Sequence, residues 1–249
     1  MAQTNKRRRK GNGSLYTTVV VAMVLLAGIT GISVFFKVSD IVVVGNSAYS
    51  AKEIIDASGI ELDSSIFFLR ESAAVVRIKD ALAYIDDVRI VTTLPSTVTI
   101  EVTESYPIAS ITDEGSKWII DNNARILEKT SVNTSTNAIP VYGVTPIMPA
   151  VGETLSLGDS GSVQLMYLKQ VLSGMLAAGI YEDVQWLDMT NISSITFGYK
   201  NKFTVVLGKG ENVADKLWLM EQAVEPHLED GYNATIDLSA DNEAHYIKG

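Results

Sequence analysis

Apolar residues fill one long stretch near the start of the chain, and shorter alternating patterns follow it. From Leu15 to Phe36 the sequence LYTTVVVAMVLLAGITGISVFF holds 22 residues without a charge. As an α-helix rising ~1.5 Å per residue it would span about 33 Å, the hydrocarbon thickness of a bilayer. The pattern predicts a transmembrane helix at 15–36, because a cleaved secretory signal has a shorter apolar run and ends in small residues.

Basic residues lie mainly on one side of this stretch. Lys6 to Lys10 form a basic cluster directly before it, and only Lys37 follows directly after it. Basic residues are retained on the cytoplasmic side of a membrane span. We therefore expect a single-pass plasma-membrane protein with a cytoplasmic tail at residues 1–14 and everything beyond residue 37 outside the cytoplasm.

The next part of the chain alternates between strand and helix patterns. Ser39 to Gly45 is β-branched and predicts a strand, and Ser50 with Glu53 forms a capping box for a helix that ends at Gly59. A second helix is predicted over 72–85, because Val75, Ile78, Leu82 and Ile85 share one face.

Two alternating segments complete this part. Val88, Ile90 and Thr92 precede a Leu94-Pro95-Ser96 turn, and the pattern resumes at 97–103, which predicts an antiparallel hairpin. The predicted order is β-α-α-β-β, a small α+β domain with a sheet layer and a helix layer.

Four short motifs resemble landmarks of one bacterial protein family, FtsQ/DivIB. They are, in order, Val44 to Asn46 (VGN), Leu94 to Glu104 (LPSTVTIEVTE), Pro107 to Ala109 (PIA) and Trp118 to Asp121 (WIID). Their order and spacing after a membrane anchor carry the resemblance. It implies a POTRA-like domain at 37–106 and an FtsQ-type β domain at 107–249.

Residues 107–249 predict short strands and two helices. Strands are expected at 108–112, 117–120, 125–127, 184–187, 192–197, 203–207, 234–238 and 244–248. One helix is expected from residue 159 or 160 to Gly179, and Asn212 is expected to cap another that ends before Pro226. The polar segment 129–137 is predicted to be a surface loop, with no long element between 128 and 158.

Charge and composition restrict the chemistry. The net charge is −9, and setting aside the five basic residues of the tail leaves −14 on the rest of the chain, which opposes nucleic-acid binding. The chain has no cysteine and only two histidines, His227 and His245, which excludes thiolate sites and predicts no metal and no cofactor.

Two acidic pairs and a glycine turn keep alternatives open. Asp86-Asp87 and Glu221/Glu225 are the carboxylates that a membrane-anchored cell-wall hydrolase would use, although solvated acidic surface explains them more simply. Gly208-Lys209-Gly210 follows a strand and precedes a helix, but it lacks the third glycine of a dinucleotide-binding turn.

The last predicted strand is the candidate binding site. Ala244, His245, Tyr246 and Ile247 lie in a strand that a partner strand can extend if it forms a sheet edge, and Tyr246 is the expected anchor. The family resemblance implies that the partners are FtsL-type and FtsB/DivIC-type bitopic coiled-coil division proteins.

Together these features predict a function without catalysis. We expect a divisome scaffold, not an enzyme, that binds division proteins outside the cytoplasm and helps to control septal peptidoglycan synthesis. The alternatives are the hydrolase and a POTRA-containing single-pass receptor or secretion component.

Overall fold

The computed structural model describes residues 13–228, 232–240 and 243–248 of the chain. They form a mixed α+β fold with two sheets and five α-helices. The predicted cytoplasmic tail lies outside the described residues, except for positions 13 and 14.

The first helix, α1, covers Gly13–Phe35. The side chains of residues 13–15, 29 and 32–34 within it are outside the described set. Over what is described, no helix reaches the combined length and apolar content needed to cross a bilayer. The transmembrane helix at 15–36 therefore stays a prediction.

The first module follows α1 and has the predicted order of elements. Its elements are β1 (Asp40–Val44), α2 (Ala51–Ser58), α3 (Glu71–Ala81), β2 (Ile85–Thr93) and β3 (Thr97–Glu104). β3 lies in the centre of the sheet, parallel to β1 and antiparallel to β2. Alternate residues of β3 face the helices, so Val98, Ile100 and Val102 are buried.

Local sequence signals set the ends of α2. Ser50 Oγ accepts from the Glu53 N–H at 3.3 Å, and Glu53 Oε2 accepts from the Ser50 N–H at 2.8 Å, which confirms the capping box. Gly59 ends the helix in the left-handed region, at φ 63°.

The predicted end of the next helix is wrong. α3 stops at Ala81, and Ile85 is the first residue of β2 instead of the last of a helix. Ile85 is fully buried in the same core as Ile78. Ile85 is a core residue, as its apolar side chain predicted, but it reaches the core from a strand. The spacing of Val75, Ile78, Leu82 and Ile85 fits one face of a long helix, and it also fits a shorter helix followed by a strand.

The second module contains a nine-stranded sheet and two helices. Its elements are β4 (Ala109–Asp113), β5 (Ser116–Ile120), β6 (Ile126–Ser131), β7 (Ile139–Tyr142), α4 (Ser162–Ala177), β8 (Val184–Asp188), β9 (Ile195–Tyr199), β10 (Phe203–Gly208), α5 (Val213–Val224), β11 (Ala234–Asp237) and β12 (His245–Lys248). The strand order is β12-β11-β10-β9-β8-β7-β4-β5-β6. α4 and α5 pack on this sheet, where Leu168, Leu217 and Phe197 are fully buried in one core.

Two strands depart from the prediction. β6 continues through Ser131 into the segment predicted to be a loop, and β7 was missed. β7 contains Pro140, which has no backbone N–H that could donate a hydrogen bond. Ile139 donates to Ile108 O on the β4 side, so the Pro140 nitrogen faces β8, and pairing with β8 begins only at Val141. The central strand therefore loses no hydrogen bond.

Candidate partner-binding edge

β12 is the outermost strand of the large sheet at one end. Within the described residues it pairs only with β11, in antiparallel register, with Ile236 opposite Tyr246 and Thr235 opposite Ile247. An outer strand has one row of N–H and C=O groups without a strand partner, which another chain can extend.

The register shows which residues of β12 present this free row. The Ala234 N–H at the start of β11 donates to Lys202 O, just before β10, at 3.4 Å, and the Leu238 N–H, just after β11, donates to Val206 O of β10 at 2.8 Å. The backbone groups of the alternate residues, Thr235 and Asp237, therefore point to β12. The hydrogen-bonded pairs with β12 are then Thr235 with Ile247 and Asp237 with His245. The backbone groups of Tyr246 and Lys248 consequently point away from the sheet.

The side chain of Tyr246 contacts the protein's own core. It packs half-buried against the core, and its ring stacks on the His227 ring with 3.9 Å between centroids. Its hydroxyl is buried without a hydrogen-bond partner among the described residues. Tyr246 as the anchor stays a prediction, and a partner strand on this edge would also meet its backbone.

On the face opposite Tyr246, both side chains of β12 are exposed. Ile247 is 52% exposed, and His245 lies 3.4 Å from Glu243, measured from Nε2 to Oε2. Next to this face the backbone N–H of Ser239 donates to Asp237 Oδ1 at 2.8 Å. Hydrogen bonds from Ser239 lower the pKa of Asp237, so its carboxylate stays charged and holds the turn that leaves β11.

The opposite outer strand, β6, is covered by the chain itself at its first residue, Ile126. The Ile126 N–H donates to Glu153 O, and the Gly152 N–H donates to Ile126 O, both at 2.8 Å. The guanidinium of Arg125, just before β6, donates to Gly152 O at 3.0 Å and reaches the first module. The two outer strands thus differ: β6 is closed at its start by these bonds at Ile126 (the closed edge), whereas no such backbone bonds cover the described residues of β12 (the open edge).

Comparison with known proteins identifies the family of the first module. The family model described as "POTRA domain, FtsQ-type" matches residues 36–105. The first module therefore matches an FtsQ-type POTRA domain, and it is called the POTRA domain from here on.

The similarity extends into the second module. The cell division protein DivIB of Clostridium tetani is 25% identical over 183 residues, 74% of this chain and 68% of that protein. The cell division protein FtsQ of Streptomyces venezuelae is 24% identical over 216 residues, 86% of this chain and 77% of that protein. DivIB of Clostridium acetobutylicum is 28% identical over 186 residues, 74% and 71% of the two chains. The resemblance to the FtsQ/DivIB family is confirmed.

A joint of polar contacts connects the POTRA domain to the second module. Arg125 donates to Lys79 O and Ile85 O, both at 2.7 Å and both in the POTRA domain. The hydroxyl of Tyr84 donates to Glu128 Oε2 at 3.0 Å. Burial, with this hydrogen bond and the Glu128 charge, raises the pKa of Tyr84 to about 12.

The aspartate of the WIID motif belongs to the same joint. Asp121 is buried, and its Oδ1 accepts from the N–H groups of Asn123 and Arg125, both at 2.8 Å. Its Oδ2 accepts from Ser105 Oγ at 3.0 Å, where the POTRA domain ends. The buried carboxylate is therefore used to shape a turn and to fix Arg125, which the sequence pattern did not reveal.

The two acidic pairs have different surroundings. Asp86 and Asp87 of the POTRA domain are both exposed, since a bulge after Ile85 interrupts the strand register. Glu221 and Glu225 line a surface pocket of ≈ 290 Å³ that also contains Tyr199 and Lys200. Lys200 forms an ion pair with Asp183, at 3.6 Å between Nζ and Oδ2.

The glycine turn is explained by packing. Gly208 has φ 75°, and a Cβ on Gly210 would lie 2.6 Å from the Cβ of Tyr167. Lys216 is buried, and its Nζ donates to Leu207 O at 2.9 Å and Lys209 O at 3.1 Å. The turn is thus occupied by the chain's own tyrosine and lysine.

The expected cap of α5 is wrong in its chemistry. Asn212 does stand directly before the helix, but it lies in the left-handed region at φ 51° and its side chain makes no capping hydrogen bond. Over the described residues there is also no cluster of three or more acidic or histidine side chains suited to a metal ion.

Proposed function

We propose that this protein is a non-catalytic scaffold of bacterial cell division, held in the plasma membrane by a transmembrane helix at residues 15–36. Its POTRA domain and second module would lie outside the cytoplasm and bind other division proteins there. The names of the relatives, all cell division proteins, support a role in division. The observation that carries the binding role is the open edge at β12.

Strand addition is the binding mode that this edge supports. A partner strand would pair with the outward N–H and C=O groups of Tyr246 and Lys248, which gives affinity, while the exposed side chains of His245 and Ile247 select the partner. Ala244 lies just before the strand and extends the same edge. The proposed partners are FtsL-type and FtsB/DivIC-type bitopic coiled-coil proteins, and binding would position the machinery of septal peptidoglycan synthesis.

A pair of substitutions at one position tests this mode. Proline at Tyr246 removes an outward N–H but no bond to β11, whereas alanine removes the same ring and keeps the N–H. In a pull-down of the detergent-solubilised full chain with each candidate partner, Tyr246→Pro should bind at least about tenfold more weakly than Tyr246→Ala, because it loses a backbone bond and introduces a ring at the interface. Equal binding by the two variants would contradict strand addition at this edge.

Two further experiments test the wider proposal. Depletion of the protein in its native cell should block septation, and normal septation with unchanged cell length would exclude a role in division. Incubation with peptidoglycan should release no muropeptide. Release that is lost in Glu221→Gln would instead establish the hydrolase alternative.

A further inference from the structure

We propose that the end of the POTRA domain next to α1 is embedded in the lipid headgroup interface, through exposed aromatic and aliphatic side chains. This inference rests on the proposed membrane anchor. Three segments form this end, the proximal tip: residues 35–39, 59–70 and 94–96.

The topology brings these segments to one end of the domain. β1 leads away from α1, and α2 returns toward it because it follows β1 across a short turn. The α2–α3 connection at 59–70 and the β2–β3 turn at 94–96 therefore lie at the end where β1 begins. β3 runs parallel to β1, with Asp40 opposite Thr97, which places the turn beside the exit from α1.

Backbone hydrogen bonds fasten the proximal tip to the residues that follow α1. The Ile66 N–H donates to Phe36 O at 3.1 Å, and the Val38 N–H donates to Ser64 O at 2.9 Å. The Ser39 N–H donates to Ser96 O at 2.8 Å. These bonds are made within four residues of the last residue of α1, so the tip lies beside the point where the proposed anchor leaves the bilayer.

Large apolar side chains of the proximal tip point outward. Phe68 is 85% exposed, Phe67 58%, Leu62 59% and Leu94 58%. Phe35 of α1, which is 75% exposed, lies beside this end, because its neighbour Phe36 contacts Phe67 with 5.0 Å between ring centroids. Large apolar patches are rarely left in water by monomeric proteins, and interfacial membrane anchors use exposed phenylalanine and leucine side chains in this way.

Charges around the patch cancel. Lys37 and Arg70 are exposed beside it, as are Glu61 and Asp63. The attraction would therefore come from burial of the apolar side chains and would not require anionic lipid. A lipid surface is favoured over a protein partner because the anchor itself would bring the patch to this depth.

The absence of cysteine from the chain permits a direct test with single labels. The full chain, reconstituted in vesicles of zwitterionic lipid, carries an environment-sensitive fluorophore at Phe68→Cys or at Leu94→Cys. The control is Ser47→Cys, an exposed position after β1 at the other end of the domain. Nitroxide-labelled lipid should quench the probes at 68 and 94 at least about twofold more than the probe at 47, with or without anionic lipid.

The outcomes separate this inference from the anchor. Equal quenching at 47, 68 and 94, in a chain that resists alkaline extraction from the vesicles, would overturn the embedded tip and leave the anchor intact. A chain that alkaline extraction removes would overturn the anchor and the inference with it. Shielding of positions 68 and 94 only after a partner protein is added would assign the patch to that protein and also overturn the inference. The second probe position keeps the test decisive if one substitution alters folding.

Discussion

The two outer strands of the large sheet differ in whether other parts of the chain bond to their outer side. β6 is bonded by the 152–153 loop and braced by Arg125, which joins it to the POTRA domain. β12 has only four residues and one strand neighbour among the described residues. The start of β6 is thus closed by the 152–153 loop and by Arg125, whose backbone N–H donates to the buried Asp121, whereas the described residues of β12 have no such cover.

The closed edge also sets how the two modules meet. Arg125 supplies three hydrogen bonds to backbone carbonyls of three separate segments, around residues 79, 85 and 152. A guanidinium suits this role because its donors are held in a rigid plane. The open edge carries no comparable contact in the part of β12 that the structure describes.

The largest effect is expected from Arg125→Ala, which removes the brace from the closed edge. Three carbonyls lose a charged donor, and the free energy of unfolding should fall by about 2–4 kcal/mol. Urea denaturation followed by circular dichroism measures this. The matched control is Arg89→Ala, since Arg89 forms only an exposed ion pair with Glu101, at 3.6 Å between Nη1 and Oε2.

The control should change the free energy of unfolding by less than about 1 kcal/mol. If Arg125→Ala lowers the free energy of unfolding by no more than Arg89→Ala does, Arg125 does not brace the closed edge. The contrast between the two edges would then lie in the 152–153 loop alone.

A smaller effect is expected at the open edge from Ile247→Pro. The Ile247 N–H points toward Thr235, so proline removes a bond between β11 and β12 and should cost about 1–2 kcal/mol. Hydrogen exchange of the Thr235 and Asp237 amides should accelerate. Ile247→Ala keeps the N–H and should leave this exchange nearly unchanged.

Unchanged exchange in Ile247→Pro would mean that residue 247 points outward. The assignment of Tyr246 and Lys248 to the free row would then be reversed. The same measurement on Tyr246→Pro, in which the bonds to β11 are kept, provides the complementary check.

The smallest effect is expected on how the free energy of unfolding depends on pH, through Tyr84 in the joint beside the closed edge. Tyr84 has a folded pKa of about 12, above the ~10 of an unfolded tyrosine. Its contribution to stability is therefore fully present below pH ~10 and is lost as the pH rises toward about 12. Urea denaturation of the wild type should show this loss, and Tyr84→Phe should show a shallower decline over the same range.

The cause of the shift can be checked separately with Glu128→Gln, which keeps the phenol and removes the charge. Because burial is the largest cause, this variant should retain most of the alkaline decline. A decline as shallow as that of Tyr84→Phe would show that the carboxylate, and not burial, raises the pKa.

Local patterns predicted much of the fold. The capping box at Ser50 and Glu53, the β2–β3 hairpin and the α4 helix follow from interactions between residues near each other in the chain. The prediction failed where the local sequence fitted two different secondary structures. Ile85 fits the face of a helix and the start of a strand equally well. Pro140 disfavours a strand, but its nitrogen lies where the pairing with β8 needs no N–H donor.

The candidate site was predicted only in outline. Residues 244–247 were identified from a strand pattern, and the structure places them on and just before β12. The direction of Tyr246 depended on the register with β11 and on His227, which comes earlier in the chain and packs against it. A period of two along a strand indicates alternating faces but not which face meets the core.

The sequence by itself therefore determined the order of elements in the first module, the FtsQ-type landmarks and the presence of a strand at 245–248. Only the tertiary structure decided which outer strand is open among the described residues, and that the 152–153 loop and Arg125 close the start of the other. The physical reason is range: caps, turns and periodicity act over a few residues, whereas an edge is open or closed according to what distant segments bring to its backbone groups.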